Sequence, residues 1–188
     1  MALIRESIIG EIKMAQTGGM QLRLTEQEVC EYWSVIFTSR GIATLTKQDM
    51  TGFLSYKQNR RWRDISKEDV TLDMPRLRQA LLILVDESRP IKDRLDDLEP
   101  GRGTHAVPHL GKAKLSPILM MADPKKYGVW NDYSERALAA IGLLPETATV
   151  GLGARYADFN AVLLRLAATY SVSLWRLDGI LEDLARRA

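Results

Sequence analysis

Lys112 and Lys114 follow a turn that holds Pro108 and Gly111, and an apolar run from Leu115 to Leu119 comes behind them. A turn rich in Pro and Gly that opens straight into an apolar helix suits the capture of a phosphate. Gly111 has no side chain to keep an anion away from the backbone, and the first amides of a helix lack partners and carry the positive end of its dipole. His109 adds a donor at the turn, and Lys112 and Lys114 add charge. The expected partner is double-stranded DNA, held by its backbone.

Two other stretches combine cations, amides and rings. Tyr56 to Arg63 sets Arg60, Arg61 and Trp62 together, a mix that can follow phosphates while an aromatic ring stacks on a displaced base. Its plainer reading is a solvated loop pinned by Trp62 in the core. Pro124 to Asp132 brings Tyr127, Trp130, Asn131 and Asp132 close behind the hairpin helix. There Tyr127 or Trp130 could line a base pocket, while Asn131 and Asp132 reach the base edge or the sugar. The plainer reading is a helix capped by Asn131 or Asp132, with Trp130 as the staple before it.

Other chemistries find little footing. His105 and His109 have no third ligand or Cys pair, so no metal site is expected. Asp86, Glu87, Asp93, Asp96 and Asp97 read as solvated helical faces. Gly151 to Gly153 lacks the lysine of a phosphate loop, and no cofactor is implied. A single cysteine, Cys30, excludes an internal disulfide framework and a four-cysteine iron-sulfur loop, and its apolar surroundings suggest a buried structural thiol.

The elements that must position these residues are helical. Apolar residues recur at helical spacing nearly throughout, and no stretch alternates like a strand, so the fold class is all-α. Helices are expected over about 3–15, from Thr25 with a capping box at Glu28 to before Gly41, from Thr46 with Asp49, and from Asp73 through Ser88. Further helices follow from Pro90 to near Leu98, behind the hairpin to Asp123, from Asn131 or Asp132, over about 154–170, and from Ser173 onward. The chain has 188 residues, 46% of them hydrophobic. That is enough to bury one core, read as a single helical domain over 1–188 with N-terminal helices in 1–98 and the hairpin in 99–188. The net charge of +2 does not by itself force a nucleic-acid partner. Residues 1–16 have neither a signal-peptide pattern nor a membrane span, and a cytoplasmic location without membrane contact is expected.

Val107, Pro108, Leu110, Gly111, Lys112, Ile118 and Leu119 fall on the positions of the hairpin in the helix-hairpin-helix DNA glycosylase superfamily. The usual form there is Leu-Pro-Gly-Val-Gly before a basic helix start, and the chain resembles it in divergent form. The resemblance implies a multi-helix glycosylase-like architecture that binds DNA. His109 replaces the first glycine, Pro117 lies inside the second helix, and Ala113 stands where lyase-active members carry lysine. The family's catalytic aspartate maps to Asn131, with Asp132 beside it, and a neutral amide cannot activate water or stabilise a cationic sugar. A second similarity runs from about residue 45 to 180. The order Phe53-Leu54, Asn59, Trp62, Arg78-Gln-Ala-Leu, Arg94-Leu95, Gly111-Lys-Ala113, Pro124 to Asn131, Tyr156 and Asp178 is similar to uncharacterised bacterial proteins. Their helical modules are related to ones found beside restriction and other DNA-processing domains.

Three functions compete on this reading. The first is a DNA-binding helix-hairpin-helix protein that senses damaged or modified bases. The second is a monofunctional DNA glycosylase with Asp132 as its carboxylate. The third is a protein-interaction module that presents Trp62, Tyr127 and Trp130 to a protein partner.

Overall fold

A computed structural model describes residues 20–55, 68–146 and 151–187, and every regular element among them is an α-helix. Expectations for residues 3–15 and for Arg60, Arg61 and Trp62 lie outside the described residues. The helices are α1 (Met20–Ile36), α2 (Ser39–Thr44), α3 (Lys47–Ser55), α4 (Met74–Leu84), α5 (Ile91–Asp97), α6 (Lys112–Ala122), α7 (Asp132–Ala140), α8 (Leu152–Tyr170) and α9 (Leu174–Arg187). The all-α expectation holds for this part of the chain.

Local signals set most helix starts. Thr46 and Asp49 cap α3 reciprocally, the Asp49 amide donating to Thr46 Oγ1 (3.1 Å) and the Thr46 amide to Asp49 Oδ2 (2.9 Å). Asp73 caps α4 by accepting from the Arg76 amide at 3.0 Å. Ser173 does the same for α9 through the Arg176 amide. Four boundaries differ from expectation, the first being that the helix expected to run up to Gly41 ends at Ile36, after which Thr38 caps the separate α2 by accepting from the Gly41 amide. Helix α1 is already formed at Met20 rather than Thr25, because Met20, Gln21, Leu22, Arg23 and Leu24 are all good helix formers that outweigh the capping signal. Helix α4 stops at Leu84 rather than Ser88. There the Leu84 carbonyl accepts from Arg94 Nη1 of α5 (2.7 Å), while Asp86 folds back onto the amide and hydroxyl of Ser88. Helix α8 starts at Leu152 rather than Ala154, because Asp96 of α5 accepts from the Gly153 amide at 2.8 Å and supplies a cap that no local residue provides.

One apolar cluster runs from Val29 to Ala185. At its α1 end Trp33, Phe37 and Phe53 pack ring on ring, with centroids 4.9–5.9 Å apart. Leu77, Leu81 and Leu84 bring α4 onto it with no exposed surface, each contributing about 1.5–3 kcal/mol by leaving water. Helix α6 lies inside, with every residue from Lys114 to Met121 buried. It packs against α1, while α5 packs on α8 and α7 on α9. Burial on all sides also keeps α6 continuous through Pro117, although proline removes the amide that would bond the Ala113 carbonyl. No helix among the described residues is long and apolar enough to cross a membrane.

Candidate nucleic-acid interface

The hairpin hangs from two buried residues, Val107 and Leu110, and holds Pro108 and His109 out between them. The Leu110 amide closes the turn on the Val107 carbonyl at 3.1 Å. His109 adopts a left-handed backbone, φ 62°, which a residue with a Cβ reaches only against about 1–2 kcal/mol. Lys114 holds that conformation from behind, donating from Nζ to the His109 carbonyl at 2.7 Å. His109 Nε2 lies 3.5 Å from Asp69 Oδ2.

Gly111 is the N-cap of α6 and offers no side-chain cap. Its carbonyl takes the amides of Lys114 and Leu115, both at 2.9 Å. Among the described residues, the amides of Gly111, Lys112 and Ala113 have no acceptor. A Cβ at Gly111 would meet, among the described residues, only Pro100 Cγ, at 3.8 Å. The helix therefore starts with donors that lack acceptors among the described residues, beside an uncrowded Gly111.

The two expected lysines diverge here. Lys112 is partly exposed at the rim, where its ammonium reaches Glu135 Oε1 (2.5 Å) and lies 4.8 Å from the centroid of the Trp130 ring. Lys114 is 8% exposed, and burial pushes its ammonium below the usual lysine range against the pull of Asp69. Lys114 is thus engaged inside the hairpin, while Lys112 stays at the rim in its pair with Glu135.

Loop 123–131 is built the opposite way. Tyr127 and Trp130 are 2% and 4% exposed, so a base could stack on either ring only by displacing core side chains. Trp130 stacks on Phe159 at 5.4 Å, donates from Nε1 to Glu135 Oε1 (2.7 Å) and from its amide to Ser116 Oγ (2.8 Å). Asn160 brackets the loop by donating to the Lys126 carbonyl (2.9 Å) and accepting from the Gly128 amide (2.7 Å). The Tyr156 hydroxyl donates to the Gly128 carbonyl at 2.9 Å, and burial raises its pKa well above the usual tyrosine value.

Beneath this loop lies a buried cation. Arg94, 1% exposed, donates from Nη1 to Glu87 Oε1 (3.0 Å) and from Nη2 to the Tyr127 hydroxyl (2.7 Å). Tyr127 donates in turn to Glu87 Oε1 at 2.5 Å, and Lys126 pairs with the other carboxylate oxygen. Partial burial pushes the Glu87 carboxyl up, but hydrogen bonds from Lys126 and Tyr127 and the charge of Arg94 outweigh it and hold the pKa below the ordinary value. Of the acidic residues noted in the sequence, Glu87 stays half-exposed while pairing with the buried Arg94 and with Lys126, Asp96 caps α8, and Asp97 pairs with Arg89 at 2.7 Å.

Asn131 is the N-cap of α7. Its side-chain oxygen accepts from the amides of Tyr133 and Ser134, and Ser134 Oγ accepts from the Asn131 amide, all at 2.9 Å. Asp132 stands next to it in the first turn, exposed, with no hydrogen bond or ion pair among the described residues. Cys30 is half-buried, and desolvation together with the charge of Glu26 pushes its thiol to about 11, far from a reactive thiolate.

Arg94 and Asn160 escaped the sequence reading as structural anchors, yet both carry a signal. Arg94 falls in the stripe Ile91, Leu95, Leu98, and Asn160 in the stripe Tyr156, Phe159, Leu163, so each is a polar residue on an apolar helical face. The chain matches no protein-family model, no curated protein and no solved structure.

Proposed function

We propose that this chain binds double-stranded DNA through the Pro108–Gly111 hairpin, in a divergent helix-hairpin-helix arrangement akin to that of the DNA glycosylases. The observation that carries the reading is the open N-terminus of α6, where free amides stand behind an exposed turn and Gly111 leaves the approach clear. His109 takes a left-handed backbone at the place where the glycosylase hairpin has its first glycine. Lys112 adds charge at the rim. Contacts of this kind neutralise phosphates without reading bases, so affinity should fall steeply with salt and vary little with sequence.

Gly111→Asp tests the seat directly. Aspartate is a better N-cap than glycine by a few tenths of a kcal/mol, and space is open at that position, so folding stability should hold or rise. The same carboxylate would occupy the anion seat, and duplex affinity in an anisotropy titration should fall at least about tenfold. Unchanged affinity in this variant would remove the hairpin from the interface.

One observation favours base excision as a second reading. With Asn131 taking the cap, Asp132 keeps a free, exposed carboxylate in the first turn of α7. A monofunctional glycosylase could use it to assist water. Duplexes with damaged or modified bases, incubated with the protein and then cleaved by alkali at abasic sites, should yield product lost in Asp132→Asn and kept in Asn131→Ser. No product from any duplex leaves binding alone.

A further inference from the structure

Beside the hairpin lies a cleft of about 280 Å³. Its walls include Arg76 at the start of α4, Pro100 and Pro108, and the run Gly101-Arg102-Gly103. Among the described residues no carboxylate lines it. The Arg102 side chain is exposed and has neither an ion pair nor a hydrogen bond among the described residues. Arg76 is fixed instead, one Nη donating to the Ala106 carbonyl, which leaves the rest of its fork for another acceptor.

The loop that presents Arg102 is held rigidly by its backbone. The amides of Arg102 and Gly103 both donate to the Glu99 carbonyl, at 3.1 and 2.7 Å, and the His105 amide donates to the Asp97 carbonyl at 2.9 Å. Gly101 has φ 79°, where a side chain would be strained, and a Cβ at Gly103 would lie 2.2 Å from the Asp97 carbonyl oxygen. Two glycines thus hold an unpartnered arginine on a fixed turn. Pro100 connects the two features, since it lines the cleft and also lies 3.8 Å from a Cβ at Gly111.

We infer that the cleft is a second phosphate site, with Arg102 as its contact and Arg76 as its back wall. It takes a phosphate of the backbone whose neighbour sits on the α6 amides, an inference that rests on the DNA reading above. Arginine suits this role because its planar fork can pair with two phosphate oxygens at once, and pre-set walls lower the ordering cost of binding. Two phosphates gripped on either side of Pro100 fix the register of the strand, which one helix terminus cannot do.

The test uses the full chain and two probes. In anisotropy titrations with a short labelled duplex over a range of KCl concentrations, Arg102→Ala should bind about three- to tenfold more weakly on any sequence, with the salt slope lower by about one. Arg102→Lys should recover most of the loss, because a point charge still neutralises the phosphate. If the wild type binds and Arg102→Ala matches it in affinity and slope, the cleft plays no part. The second probe is inorganic phosphate titrated against isotope-labelled protein. The amides of Gly101 and Gly103 should shift in the wild type and stay still in Arg102→Ala. If phosphate moves those amides while the wild type fails to bind DNA, the DNA reading is wrong and the cleft stands as a site for a small phosphate anion. If neither probe binds, both inferences fall.

Discussion

Two loops flank α6, and they use similar residues to opposite ends. Loop 98–111 and loop 123–131 each contain proline, glycine and cations. In the second, the polar groups turn inward: Tyr127 joins Arg94 and Glu87, Trp130 joins Ser116 and Glu135, and Asn160 takes up the Gly128 amide and Lys126 carbonyl. In the first, Arg102, Pro108 and His109 are exposed, and the amides at the start of α6 lack acceptors among the described residues. A loop whose polar groups are satisfied internally supports the fold. One that leaves donors at the surface leaves them to water or to an incoming acceptor.

The sharpest way to break the contrast is Arg94→Ala. It leaves the Leu84 carbonyl and the Tyr127 hydroxyl without their donor in a buried place, and the expected loss is about 3 kcal/mol in urea unfolding. DNA affinity of the folded protein should be unchanged, and a large loss of affinity at full stability would reverse the assignment of the two loops. Gly103→Ala comes next. Its Cβ meets a backbone carbonyl that cannot rotate away, so a strain of about 1–3 kcal/mol is expected, accompanied by weaker DNA binding as Arg102 is displaced. Loss of stability with intact binding would mean that the turn does not present the arginine.

Acid should act on the inner loop first. Glu87 has a pKa below its ordinary value of 4.5 in the fold, so its charged form contributes stability above that value. The contribution is lost as pH falls below 4.5 and through the folded-state pKa. Urea midpoints of the wild type and Glu87→Gln should therefore converge at low pH and separate near neutrality. Parallel curves across the whole range would show that the Arg94 network does not depend on the Glu87 charge.

Much of this was legible in the residues, and the limits have physical causes. Capping pairs such as Thr46 with Asp49 act over three residues, so a local pattern reveals them. The end of α4 and the start of α8 depend on Arg94 and Asp96, side chains from another helix, which no local window contains. At the hairpin, sequence placed both lysines at the phosphate. Lys114 turns inward because the left-handed His109 brings its carbonyl within reach, and periodicity does not register backbone handedness. Tyr127 and Trp130 admit both a base pocket and a packed staple on sequence alone, and their burial with partners for their polar atoms makes them core residues. A lone cation between glycines such as Arg102 carries no periodic signal and gains meaning only from the cleft it lines.

The smallest expected effect probes an acceptor shared between the start of α6 and the inner loop. Glu135 Oε1 accepts from Lys112 on the hairpin side and from Trp130 Nε1 on the inner side. Glu135→Gln keeps an acceptor for the indole but removes the charge that competes with phosphate for Lys112. Exposed and half-exposed ion pairs contribute about 0–1 kcal/mol, so stability should change little. Duplex affinity should rise about two- to fivefold at low salt, with a steeper salt slope as Lys112 is freed for the backbone. Because Lys112 also lies over the Trp130 ring, DNA binding by the wild type should alter tryptophan emission as the ammonium leaves. A gain in affinity without that optical change would mean that removing a negative charge acts at a distance and that Lys112 stays with the inner loop.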